Sequence, residues 1–320
     1  MVSVAGVGVG YVAAMRRWPV GLALWLLVLA GMEVAGFVAV WRFFVQSAHG
    51  QLLDTVALAG NSIGHARVEN LVNTILNTIS ALSLVIAMAV IGFIALTRRR
   101  VAVAFGAMLL IVGANVTTQV LQRVIDRPQV GVDLERAAAG NSLPSGHTTI
   151  AASVAVALML VLPAGIRGAG GILGALLAAV AGVATLSAGW HRPSDAAAAL
   201  LVVGVWACAA GLFIVVAQRS HGGVDYGRPN RFTVCALTVV GLVLLVGAGL
   251  ALELTDQALS TPVEELGRRR LLAAYGGGAL GIAGVACLVV ASVLATAHRI
   301  APQVVPPTVD AEHEMTVVEG

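Results

Sequence analysis

The chain alternates long apolar runs with short polar segments. Eight runs reach the length of about 20 residues that a helix needs to cross the hydrocarbon core of a membrane. A tight turn is expected between the fourth and fifth runs, because a proline and two glycines separate them. The pattern predicts an all-α integral membrane protein. The predicted spans are residues 19–41, 73–96, 101–121, 148–165, 170–188, 196–217, 232–253 and 271–297.

Composition supports a membrane location. Of the 320 residues, 58% are hydrophobic and only 11% are charged, whereas soluble domains carry about 25% charged residues. The first run is too long for the apolar part of a signal peptide, so it is predicted to be an anchor. No disulfide or metal site is expected, because the cysteines stand alone inside apolar runs and no Cys/His cluster has zinc-like spacing. These cysteines are Cys208, Cys235 and Cys287.

Loop arginines suggest an orientation, since positive charge favours the cytoplasmic side. Arg16, Arg17 and the cluster at residues 98–100 lie on the side of the N-terminus. The cluster at 268–270 lies on the opposite side and argues against this assignment. The balance predicts a cytoplasmic N-terminus.

Two polar segments stand out between the apolar runs. Residues 122–149 follow the third run, and residues 189–195 lie between the fifth and sixth runs. The fourth and fifth spans fill the interval from His147 to His191, so the chain crosses the membrane and returns. Both histidines are therefore predicted at the same membrane face.

Each of these segments leads into an apolar run through a proline, Pro144 in one and Pro193 in the other. Proline is favoured in the first turn of a helix, so both segments are predicted at helix N-termini. Such ends bind anions, because their N–H groups are free and the helix dipole is positive there. A glycine at Gly146 lets a ligand approach the backbone closely.

This set of residue types suits phosphoryl transfer. A neutral imidazole can attack phosphorus, and a protonated one can donate to the leaving oxygen. Arginines match phosphate oxygens, and an aspartate can orient the nucleophilic ring. Asp195 lies four residues after His191, so it is a candidate for that last role. No metal or cofactor is expected.

At these residues the sequence resembles the type 2 phosphatidic acid phosphatase superfamily. The resemblance rests on Arg127-Pro128, on Pro144-Ser145-Gly146-His147, and on His191 with Asp195, in that order. It implies that His191 is the nucleophile, Asp195 its orienting partner and His147 the general acid. Phosphate would be bound by a further group of residues, namely Arg127, Ser145 and Gly146.

Two positions depart from the family pattern. Val120 stands where the first motif usually has lysine, and Thr185 where the third usually has arginine. Arg123 and Arg192 are the candidate substitutes, and both are predicted to bind substrate.

The sequence therefore predicts four regions: a cytoplasmic segment 1–18, a six-helix phosphatase-type core 19–217, two additional transmembrane helices 218–300 and a disordered tail 301–320. The expected protein is a multi-pass phosphatase of the bacterial plasma membrane with an extracytoplasmic site. Polyprenyl diphosphate, phosphatidic acid and phosphatidylglycerol phosphate are all feasible substrates. The soluble haloperoxidase branch is disfavoured, because the core is apolar.

Two alternatives stay open at this point. One is a phosphotransferase that passes the phosphoryl group to an alcohol. The other is a non-catalytic member that binds lipid headgroups or scaffolds a cell-envelope complex. The last two helices are a candidate surface for a protein partner, and no nucleic-acid partner is expected.

Overall fold

The computed structural model describes residues 20–63, 65–79, 81–97, 100–128, 141–218, 224–225, 230–259, 266–300 and 303–304. Within these ranges the chain forms ten α-helices and one short antiparallel pairing of Val224–Asp225 with Gln303–Val304. The predicted all-α class is confirmed. The predicted N-terminal segment 1–18 lies outside the described residues, as does the tail 301–320 apart from 303–304.

Most of the helices follow the predicted apolar runs, whereas the helix Ala48–Ala59 lies between two of them. A π-helical turn, Trp41–Val45, extends the first of them, and a 3-10 turn, Gly60–Ser62, follows the second. In chain order the helices are α1 (Val20–Val40), α2 (Ala48–Ala59), α3 (His65–Thr78), α4 (Ala81–Thr97), α5 (Val101–Val124), α6 (Gly146–Val161), α7 (Ala164–Ser187), α8 (Pro193–Ala217), α9 (Arg231–Asp256) and α10 (Arg268–Ile300).

Six of these helices are long and apolar enough to cross a membrane: α1, α5, α7, α8, α9 and α10. The other two predicted spans need correction. The span predicted at 73–96 falls on two helices, and the angle between Glu69–Thr78 and Leu82–Thr97 is 53°. The break between them lies at residues with low helix propensity. The span predicted at 148–165 is the shorter helix α6, which ends at Val161 because Pro163 disfavours helical backbone at Leu162. The chain is a multi-pass membrane protein.

Helix α8 occupies the centre of the bundle. It contacts α1, α5, α6, α7 and α10, and its sequence from Ala196 to Ala217 is apolar on all sides. The close approach of α5 depends on Gly113, where a Cβ atom would lie 2.3 Å from the Trp206 ring. The Trp206 indole N–H donates to the Thr117 hydroxyl at 2.9 Å. Large apolar side chains exposed on the outer helices form the lipid-facing surface.

The last two helices are joined to the core by α10. Helix α10 packs along α9, α7, α8 and α2, and the Tyr275 and Ser187 hydroxyls lie 2.6 Å apart. Arg167 lies in the first turn of α7, and its side chain is 1% exposed. Its guanidinium donates to the carbonyl of Ala297 at 3.2 Å and to that of Leu162 at 3.1 Å, satisfying carbonyls near two helix ends.

Candidate functional site

The three sequence motifs converge on the carboxylate of Asp195, which is fully buried in the first turn of α8. The Arg127 Nη2 group donates to Oδ1 at 3.1 Å. The Ser142 hydroxyl donates to Oδ2 at 2.6 Å, and the backbone N–H of Arg192 donates to the same oxygen at 3.1 Å. One carboxylate thus ties the end of α5, the approach to α6 and the start of α8 together.

His191 is held by the turn that ends α7. Gly189 has a positive φ of 72°, which glycine adopts without steric cost. The N–H groups of Trp190 and His191 then both donate to the Thr185 carbonyl, at 3.0 and 3.3 Å. This turn leaves Nδ1 of His191 3.5 Å from Asp195 Oδ2. That distance is longer than a normal hydrogen bond. Nδ1 nevertheless faces the carboxylate, so Nε2 is the ring nitrogen that remains for a ligand.

His147 lies in the first turn of α6, at the same end of the bundle as His191. Its ring packs against Trp190, with 5.3 Å between ring centroids and a tilt of 53°. The indole of Trp190 is 46% exposed. The two imidazoles therefore belong to one surface region, as the span count predicted.

The start of α6 is open to a ligand. Ser145 is its N-cap, and its side chain accepts from the Thr148 N–H. A Cβ atom placed on Gly146 would meet nothing within 4 Å among the residues that the structure describes, so none of these fills the space beside the backbone. The first N–H groups of an α-helix have no acceptor within the helix. Pro144 was predicted inside the first turn but lies before the N-cap, where its carbonyl accepts from Gln122 at 2.6 Å.

Arg127 adds unused donors to this region. Its side chain is 8% exposed, and only Nη2 has an acceptor within the described part of the chain. Its Nε and Nη1 groups are buried and have no hydrogen-bond partner there. Buried polar groups are normally paired, so two unpaired guanidinium groups beside the carboxylate cluster fit an anionic ligand such as phosphate.

The start of α8 is already occupied by a carboxylate that sequence inspection missed. Asp54 of α2 is 2% exposed; it accepts from the Ser194 N–H at 3.2 Å and from the Ser194 hydroxyl. Burial, and secondarily the charge of Asp195, raises the pKa of Asp54 to about 6. The start of α8 is therefore not free for a second anion, and the start of α6 stays a predicted anion site. The sequence feature that could have pointed to Asp54 is its position as an acidic residue among the apolar residues of α2.

The structure separates the two arginines that were predicted to substitute at the departures from the family pattern. Val120 is 49% exposed on α5, and the Thr185 hydroxyl donates to its own helix at Gly182. Of the candidate substitutes, Arg192 is 5% exposed and lies beside the carboxylate cluster. Arg123 is exposed in the last turn of α5, so the structure does not bring it into the buried cluster.

A comparison with known protein families found a match over the part of the chain that carries these motifs. Residues 114–221 match the family model described as PAP2 superfamily. The match runs from the middle of α5 to just beyond α8, so it contains all three motifs and leaves out α1 to α4, α9 and α10. It is consistent with a member of the type 2 phosphatidic acid phosphatase superfamily. Searches of curated proteins and of solved structures returned no match.

Proposed function

We propose that the protein is a membrane phosphatase that hydrolyses a lipid-linked phosphate monoester or diphosphate through a phosphohistidine. The observation that carries the proposal is the position of Arg127. Its buried Nε and Nη1 groups have no partner among the described residues, and its Nη2 group binds Asp195, the carboxylate that faces His191. The superfamily match supports a phosphatase-type activity. The apolar helices supply a lipid environment for the substrate.

In the proposed first step, Nε2 of His191 attacks phosphorus and the bond to the leaving oxygen breaks. Protonated His147 gives its proton to that oxygen, so the product leaves as an alcohol or a phosphate. Asp195 faces Nδ1 and stabilises the positive ring that forms. Arg127, the Gly146 backbone and Arg192 bind the phosphoryl oxygens, whose charge they offset.

In the second step, water attacks the phosphohistidine. Neutral His147 takes the proton of the water, the P–N bond breaks, and inorganic phosphate leaves with His191 restored as a neutral base. Because one imidazole must begin neutral and the other protonated, the rate should show a bell-shaped pH profile.

The test is phosphate release in detergent across a panel of lipid phosphates, with a chelator present. His191→Ala should abolish release, and vanadate should inhibit the wild type. Two arginines one turn apart provide a matched pair: Arg127→Ala should lower kcat/KM by about 10²-fold or more, while exposed Arg123→Ala should change it little. Retained turnover in His191→Ala would refute the nucleophile assignment.

The same experiment separates the alternatives. Added alcohol acceptors that become phosphorylated would indicate a phosphotransferase with the same intermediate. Saturable binding of a lipid phosphate without any turnover by folded protein would favour the non-catalytic scaffold.

We also propose that the site faces the extracytoplasmic side of the plasma membrane. The support is the group of arginines that the sequence places on the side of the N-terminus, namely Arg16, Arg17 and residues 98–100. Helix α10 starts at the end of the bundle that carries the site, so its C-terminal end lies at the opposite face. A reporter enzyme that works only in the cytoplasm should therefore be active when it is fused to the C-terminus. An inactive cytoplasmic reporter with an active periplasmic one would reverse the orientation.

A further inference from the structure

An apolar cavity of about 250 Å³ lies between α2, α8, α9 and α10, beside the end of α1. Most of its lining is hydrocarbon, including Val40, Leu252 and Ile282. Asp54 and Ser194 stand at its wall, where α2 meets the first turn of α8. The cavity therefore has a polar margin next to the candidate site and an apolar body.

Glycines line the α10 wall of this cavity, namely Gly277, Gly278 and Gly281. A Cβ atom on Gly277 would lie 2.5 Å from Ala251, and one on Gly278 would lie 2.5 Å from Pro193, so these two glycines allow the helices to pack closely. Gly249 of α9 also lines the cavity; this residue is exposed, so the cavity reaches the lipid-facing surface there. A Cβ atom on Gly249 would meet nothing within 4 Å.

The chemistry of the lining selects an apolar occupant. A buried water needs two to four polar partners, and a dry cavity of about 150 Å³ already accepts a molecule of the size of benzene. At the depth of the membrane-crossing helices, the available apolar material is lipid chain. Pro193 and Ser194 line the cavity and follow His191 by two and three residues, so the cavity adjoins the segment that carries the proposed nucleophile.

We propose that this cavity binds the hydrocarbon chain of the phosphorylated lipid, so that α9 and α10 select the substrate by its chain. The inference rests on the proposed function for the identity of the headgroup. Helices α9 and α10 lie outside the family match, so the chain-binding wall belongs to the part of this protein that the match does not cover.

The kinetic test narrows the opening of the cavity without touching the site. Gly249→Leu adds a side chain where the cavity reaches the lipid-facing surface, and Gly31→Leu, also exposed with nothing within 4 Å of its Cβ atom among the described residues, is the matched control on α1. For a long-chain polyprenyl phosphate, Gly249→Leu should lower kcat/KM by roughly tenfold or more, as expected when methylenes are excluded from an apolar pocket. For butyl phosphate, which has the same headgroup and a short chain, kcat/KM should stay unchanged. Equal losses on both substrates would overturn the inference.

A binding test is independent of turnover. A long-chain lipid phosphate with a diazirine in its chain should crosslink to α9 or α10 near Leu252 and Ile282, in the wild type and in His191→Ala, but not in Gly249→Leu. Crosslinks confined to other helices would overturn the inference. Equal crosslinking by a zwitterionic phospholipid of the same chain would assign the cavity to a structural lipid and also overturn it. Crosslinks here in a wild type that releases no phosphate would refute only the proposed function.

Discussion

Replacing Asp54 with asparagine should make the protein more stable at neutral pH. The pKa of this buried carboxyl is raised from 3.8 to about 6, with burial as the main cause. Between those values the folded state binds more protons than the unfolded state, so stability falls as pH rises through this window. Two pKa units correspond to about 3 kcal/mol, which the ionised carboxylate costs the fold above pH 6. The amide of an asparagine at this position would remain neutral at every pH.

The geometry suits the substitution. Asparagine keeps the size of the side chain, its oxygen can accept from the Ser194 N–H, and its amide can donate to the Ser194 hydroxyl. Relative to the wild type, Asp54→Asn should therefore gain roughly 5 °C in Tm between pH 4.5 and pH 7.5.

Thermal unfolding in detergent across that range would measure the difference. Asp126→Asn is the control, because Asp126 is exposed and its contact with Gln46 uses the backbone carbonyl. A variant that loses Tm equally at all pH values, or whose advantage shrinks as pH rises, would refute the reasoning. An equal loss at all pH values would mean that the hydrogen bonds from Ser194 offset the cost of burying the charge, and a shrinking advantage would mean that they exceed it.

Three further predictions concern the site and its support. Asp195→Asn should lower kcat by about 10³-fold or more with little change in KM, as for the carboxylate of a serine-protease triad; a change confined to KM in the phosphate-release assay would contradict this. Gly146→Ala should leave Tm unchanged, because its Cβ atom has space, but weaken vanadate inhibition about tenfold, or about 1.4 kcal/mol; unchanged inhibition would place the phosphate elsewhere. Arg167→Met should destabilise the fold by about 3 kcal/mol by leaving the Ala297 and Leu162 carbonyls unpaired, while Arg123→Met should leave Tm unchanged.

Local sequence determined the helical class, most of the spans and the end of the bundle where the motifs gather. These features depend on the length and polarity of continuous segments, and both are visible along the chain. Two spans and a turn between His147 and His191 were enough to bring both to one face. The helix starts at residues 146 and 193 also followed from local residue types, although the N-cap fell on Ser145 after Pro144.

Tertiary structure decided which polar residues take part. Arg123 and Arg127 are one turn apart in the sequence, yet only Arg127 turns inward to Asp195. Asp54 reaches α8 from a distant helix, and Arg167 is buried against the end of α10.

The cavity likewise exists only because α9 and α10 pack beside α2 and α8. Whether a side chain is buried, which group it binds and where space remains all depend on contacts between segments that are far apart in the chain. A local hydrophobic pattern reports that a helix has an apolar face but carries no information about which helix covers it.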